Sequence, residues 1–193
     1  MTTASTIILI GPMSAGKSTI AALLADKLGL PHCALDDGRW GYYDETSYDK
    51  QTAAEIMAEQ GMLGLLHYMK PYEAHAVERV LADHKGSVID FGAGHSVHED
   101  EPLFKRVQHA LAPFEHVILL LPSPDLDASV DVLNARFRKL LEEEVGEVDE
   151  ALLGLNEHFV KHASNHQLAT MVVYTDSHTP EETCEEILEI LSA

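Results

Sequence analysis

The sequence predicts an α/β fold built on a five-stranded parallel sheet with helices on both faces. Three observations carry this expectation. Five short runs rich in Val, Ile and Leu are spaced along the chain, and segments of helical periodicity separate them. The clearest of the runs is apolar throughout, as a strand buried on both faces requires. The first run ends in a glycine-rich stretch that leads directly into a helical pattern. Strands alternating with helices in this way pair in parallel.

The first strand is predicted over 5–11, STIILIG, and stops at Gly11. The helix after it, 17–29, places Ile20, Leu23, Leu24 and Leu28 on one face and closes on Gly29, a natural C-cap. A short second strand is predicted over 32–37, HCALDD. Residues 49–66 read as a helix rich in Ala, Met and Glu, and a further helix opens at Pro71 with Ala74, Val77, Val80 and Leu81 on one face. The third strand, 87–91, is stopped by glycines, and a helix over 101–112 ends at Pro113. The fourth strand, 115–121, precedes two predicted helices, 124–144 and 149–165. The fifth strand lies in 169–176. The last helix has Thr179 as N-cap, Pro180 at its first position and acids in its first turn.

A chain of 193 residues with 46% hydrophobic and 23% charged residues suits one globular domain, 1–193. The net charge of −19 argues against a nucleic-acid backbone or an anionic membrane as partner, because both need a basic face. Two cysteines, Cys33 and Cys184, are too few for a disulfide framework, so a cytoplasmic location is expected. No apolar run approaches the roughly 20 residues that span a bilayer, and the N-terminus lacks the pattern of a signal peptide.

The stretch 11–19, GPMSAGKST, carries Gly11, Gly16, Lys17 and Ser18 at the spacing G-x-x-x-x-G-K-S. Glycines let the loop curl so that backbone N–H groups of Met13, Ser14, Ala15, Gly16, Lys17, Ser18 and Thr19 surround a phosphate. The helix N-terminus adds positive potential. Lys17 reaches the β- and γ-phosphates and Ser18 offers its hydroxyl to Mg²⁺. In parallel sheets ligands sit beyond the carboxyl ends of the strands. There the sequence gathers the phosphate loop, Asp36 with Asp37, and the Gly92–His95 stretch.

Taken together these pieces make the chain resemble shikimate kinase and its relatives among small-molecule P-loop kinases. The opening IGPMSAGKSTIAALLADKLGLP is close to that family's, LDD (35–37) falls at its D-x-D pair and MKPYE (69–73) at its F-R-x-x-E. FGAGH (91–95) falls at its triple-glycine turn and ARFRKLL (135–141) at its arginine-bearing lid. The resemblance implies a three-layer α/β/α P-loop NTPase fold with strand order 2-3-1-4-5, substrate-binding helices over about 37–70 and a lid over about 134–150. It implies ATP and Mg²⁺ as cofactors, a small hydroxylated acceptor, and a monomer or homodimer. The chain departs from the family at the acceptor. The first acid of the D-x-D pair is Ala34, the arginine that grips the substrate carboxylate is Lys70, and the middle glycine of the turn is Ala93.

Asp36 is therefore expected to take the proton of the acceptor hydroxyl or hold that hydroxyl, with a helix N-cap as the plainer role. Asp90, at the end of the third strand, is expected to support Mg²⁺ with Ser18 or to touch substrate. Gly92 and Gly94 allow close approach of a substrate, with His95 and Lys70 beside it. One of Arg136 and Arg138 is expected to close over the γ-phosphate, and the acidic 142–150 segment to be a solvated part of the lid. Asn156, Lys161 and Asn165 lie near the family's second substrate arginine. His158, His162 and His166 recur every four residues but lack the further ligands of a zinc site. Trp40, Tyr42 and Tyr43 suit either an organic acceptor or plain packing. Two other functions stay open: a nucleoside or nucleotide kinase, against which the scarcity of arginines weighs, and an NTP-dependent switch.

Overall fold

The computed structural model describes residues 5–144, 146, 148 and 150–192. Val145, Glu147 and Asp149, within the predicted solvated part of the lid, lie outside the described residues. Five strands, β1 (Ile7–Ile10), β2 (His32–Ala34), β3 (Val88–Asp90), β4 (His116–Leu121) and β5 (Met171–Tyr174), form one sheet in the order β2-β3-β1-β4-β5. Every pairing is parallel. The central strands carry the core: Ile8, Leu9, Ile10, Ile89 and Ile118 are fully buried. Their continuous apolar runs follow from helices lying over both faces of the sheet.

The helices are α1 (Lys17–Leu28), α2 (Leu35–Asp44), α3 (Lys50–Asp83), α4 (Glu101–Leu111), α5 (Leu126–Glu144), α6 (Glu150–Lys161), α7 (Ala163–Leu168) and α8 (Pro180–Ser192). α1 packs on α8, while α3, α4 and α7 form a connected layer.

Three local expectations change. The second strand stops at Ala34, and Asp36 and Asp37 lie in the first turn of α2, where acids complement the helix dipole. Pro71 does not open a helix; it lies inside α3, and the real break is at Gly61, whose φ of +69° and ψ of −165° only glycine adopts readily. The buried ion pair of Lys70 and Glu73 straddles the proline and holds the turn together. The predicted 149–165 helix is two helices, because His162 caps the start of α7 by accepting the N–H of Ser164. His166 therefore leaves the face that His158 and His162 share.

Candidate active site

The phosphate loop follows β1 and ends where α1 begins. Gly11, Ser14 and Gly16 have φ of +141°, +60° and +87°, the left-handed geometry that turns successive N–H groups inward. Gly11 has a second reason to be glycine: a Cβ there would lie 2.7 Å from the Leu120 carbonyl oxygen. Lys17 is buried and donates from Nζ to the Pro12 carbonyl at 2.8 Å. Burial pushes its pKa down to about 8, although Asp36 and Asp90 both hold it up. Met13 donates its N–H to Oδ1 of Asn156 at 2.9 Å, and Nδ2 of Asn156 donates to Oδ1 of Asn134 at 3.1 Å. Asn156 is thus a buried side chain joining α5 and α6 to the phosphate loop, a role its sequence position did not reveal.

Asp90 meets Ser18 directly, with Ser18 Oγ donating to Asp90 Oδ2 at 2.6 Å. Its other oxygen is 2.6 Å from His32 Nε2. In the parallel register Asp90 stands beside Ala34. The Asp90 carboxylate therefore lies on the strand next to Ala34, roughly one 4.7–4.9 Å strand spacing away in ordinary sheet geometry. A serine hydroxyl and a carboxylate in contact offer the hard oxygen donors that Mg²⁺ takes alongside water, so these two residues fit that ion. His32 was not singled out by the sequence, and a lone histidine at a strand start carries no signal of such a bond.

On the acceptor side, Asp36 lies against the turn after β3. A Cβ on Gly92 would overlap the Asp36 carboxylate, so the glycine makes room for it. Asp36 Oδ1 also accepts from Arg39 at 2.8 Å. A 3-10 turn over Ala93–Ser96 holds His95, which is buried. Its Nε2 is 3.5 Å from the Tyr43 hydroxyl. Its Nδ1 is 4.0 Å from Asp36 Oδ1 and has no hydrogen-bond partner among the described residues. Burial pushes the His95 pKa down, against the pull of Glu73 and Asp36, so the ring is neutral at neutral pH.

Lys70 is not a surface lysine. Its Nζ donates to Glu73 Oε2 at 2.7 Å and to the Gly94 carbonyl at 2.9 Å, and both side chains are buried. Burial raises the Glu73 carboxyl, but the Lys70 ammonium bonded to it more than reverses this, and it stays charged. Gly94 is required here because a Cβ would come 2.6 Å from Glu73 Oε1. The turn is anchored to α7 through Ser96 and Asn165, at 2.7 Å. Tyr43 is buried inside an aromatic cluster with Trp40, Tyr48 and Tyr72, so it packs as well as facing His95.

The lid residues fall differently. Arg138 is exposed and paired with Glu150 at 3.0 Å. Arg136 is exposed and makes no ion pair with a described residue. Lys161 pairs with Asp127 and Glu157, away from the acceptor groups. Glu99, His158 and His162 each bring one ligand atom within 4.8 Å of the others. The group is tied internally, His158 Nε2 to Glu99 at 2.7 Å and His162 Nδ1 to the Ser164 N–H at 3.2 Å. No described helix is long and apolar enough to cross a membrane.

Comparison with known proteins gives a consistent result. The shikimate kinase family model matches residues 13–192. The chain is 31% identical over 185 residues to a shikimate kinase of Streptomyces coelicolor, covering 95% of this chain and 93% of that protein. It is 29% identical to a shikimate kinase of Streptomyces avermitilis, covering 96% and 94%. Among solved structures, a shikimate kinase from Acinetobacter baumannii in complex with shikimate superposes with a TM-score of 0.68 at 19% identity, over 98% of this chain and 94% of that one. A gluconokinase from Sinorhizobium meliloti superposes with a TM-score of 0.61 at 16% identity, over 100% and 94%. These superpositions show the fold.

Proposed function

The chain belongs to the shikimate kinase family and is an ATP-dependent kinase of a small molecule, and from that premise we propose how its residues divide the work. MgATP binds with its β- and γ-phosphates in the 11–18 loop, held by the backbone N–H groups and Lys17. Ser18 and Asp90 hold Mg²⁺, with Asp90 standing in for the acid absent at Ala34. The acceptor hydroxyl lies between Asp36 and His95 Nδ1, over Gly92. Asp36 takes its proton as its oxygen attacks the γ-phosphorus in line, the bond to the β–γ bridging oxygen breaks, and ADP leaves. Neutral His95 donates or accepts one hydrogen bond and orients the hydroxyl. Arg136, free of the ion pair that holds Arg138, closes over the γ-phosphoryl and stabilises its charge. Net charge and cysteine content favour a cytoplasmic enzyme without nucleic-acid or membrane partners, and an enzyme of this size suits a monomer or homodimer.

One observation carries this reading: a buried His95 Nδ1 without a partner faces the Asp36 carboxylate at 4.0 Å, beside a glycine. Buried polar atoms are nearly always satisfied, so a buried ring nitrogen left without a partner beside a carboxylate suits a ligand group. The test is ADP release across a panel of hydroxylated acceptors with wild type and Asp36→Asn. The expected result is acceptor-stimulated turnover that falls by about 10²- to 10⁴-fold in the variant, the usual range for losing a general base, with ATP affinity unchanged. Full activity in Asp36→Asn would remove Asp36 from the acceptor site.

A further inference from the structure

A cavity of about 560 Å³ lies between α3 and α6, with Lys70 in its wall. Its size falls within the roughly 300–1,000 Å³ of small-molecule sites. Met62, Leu63, Leu66, Leu155 and Phe159 give its wall five large apolar side chains. Four of these, all but Leu63, belong to a cluster that also contains Met13 of the phosphate loop and Ala93 beside Gly92. Leu63, a large apolar side chain, is 68% exposed at the wall.

The polar groups on the wall are already committed. Lys70 is neutralised by Glu73 and bonded to Gly94. A lysine ammonium has three donors, so one remains, enough for a hydroxyl. Glu99 is paired with His158. His67 is the other titratable group, and none of the five arginines lines the cavity. A carboxylate entering here would leave water, find its nearest ammonium already paired, and face the charge of Glu99. Burying such a group without a dedicated cation is costly.

We propose that this cavity holds the body of the acceptor, and that the acceptor is an uncharged alcohol with an apolar ring or chain and no carboxylate. The inference rests on the kinase reading above and adds the class of substrate. The apolar body packs on Leu66, Leu155 and Phe159, the spare Lys70 donor meets a polar substituent, and the reacting hydroxyl extends past Met13 toward Asp36.

The probes are 2-naphthalenemethanol and its carboxylated analogue 6-(hydroxymethyl)-2-naphthoate, titrated calorimetrically into the full chain. Wild type is expected to bind the neutral alcohol at least tenfold more tightly. Leu63→Arg, at an exposed position where folding is not at stake, should narrow that ratio to below threefold by offering the carboxylate a cation. Equal or tighter binding of the carboxylate by wild type, or no saturable binding of either probe, overturns the proposal. ADP release with the same pair separates the two readings. Turnover fastest with the carboxylate refutes the apolar acceptor and keeps the kinase site; tenfold selective binding without ADP release from any alcohol keeps the cavity's preference and refutes the site.

Discussion

Lys17 is buried with its ammonium turned onto the Pro12 carbonyl, and its pKa has fallen to about 8 because burial outweighs the pull of Asp36 and Asp90. Nucleotide phosphates supply the opposite charge it lacks, so binding must raise that pKa again. The sign follows directly. A group whose pKa is lower in the free protein than in the complex takes up protons on binding, and affinity is complete below the free value and lost as pH rises through it. At pH 9 nucleotide binding should take up most of one proton, since a group of pKa about 8 is then about 90% deprotonated. Affinity should fall about tenfold per pH unit above pH 8. Titration in two buffers of different ionisation enthalpy measures the uptake, and Lys17→Met should abolish it. A flat affinity from pH 7 to 10 with no proton uptake would show that Lys17 is not the group that meets the phosphates. Lys17 was legible in the sequence as a candidate, because its motif lies within six positions. Asp90 was legible only as a candidate. What gives it meaning is the register that sets it beside Ala34 and the bond from Ser18, 72 residues away.

The turn after β3 behaves as one element: Gly92 accommodates Asp36, Gly94 accommodates Glu73, and His95 is buried between them. The two glycines differ in what a methyl group would meet. At Gly92 it meets the end of Asp36, an exposed side chain in the first turn of α2 that can rotate away. At Gly94 it meets Glu73, locked in a buried ion pair with Lys70. Gly92→Ala should therefore keep a melting temperature within a few degrees of wild type, while its kcat approaches that of Asp36→Asn. Gly94→Ala should lower the melting temperature clearly, because a buried pair disturbed at one partner loses about 3–5 kcal/mol in the worst case. Thermal melts beside single-turnover assays separate the two, and a fully active Gly92→Ala would break the link between Asp36 and the turn. Elements of this kind explain where sequence patterns fail. The strands were readable because unbroken apolar runs have few other fates. Helix ends were not: a proline with helix formers on both sides stayed inside α3, and the break fell at Gly61, one of two glycines only three residues apart. The split between α6 and α7 turns on the side-chain bond of His162, which periodicity does not encode.

Across the whole molecule the donor and acceptor halves of the site were unequally visible. The phosphate loop is contiguous, whereas the proposed acceptor cleft joins α2, α3, the turn after β3 and α6, which lie as much as 123 positions apart in the chain (Asp36 to Phe159). Its apolar wall draws on Met62, Leu66, Leu155 and Phe159, each of which in sequence is one more hydrophobic residue on a helix. The charge of the molecule, −19, was visible from the start and has a consequence for that same site. MgATP carries net negative charge and must approach a protein whose α5 and α6 bear Asp127, Glu142, Glu143 and Glu150. Arg138, Lys139 and Lys161 pair with Glu150, Glu143 and Asp127 and offset part of that charge, but the chain as a whole stays at −19. At about 0.01 M salt the screening length is about 30 Å and all these acids act on the incoming nucleotide; at about 0.1 M it is about 10 Å and only the loop and its lysine do. The association rate of MgATP should therefore rise with added potassium chloride over that range, the reverse of electrostatically steered binding, while uncharged adenosine should show no such trend. Stopped-flow association at several ionic strengths makes the comparison. A rate that falls with salt would mean that the field of Lys17 and the helix N-terminus dominates at long range, and that the acidic surface is turned away from the path the nucleotide takes.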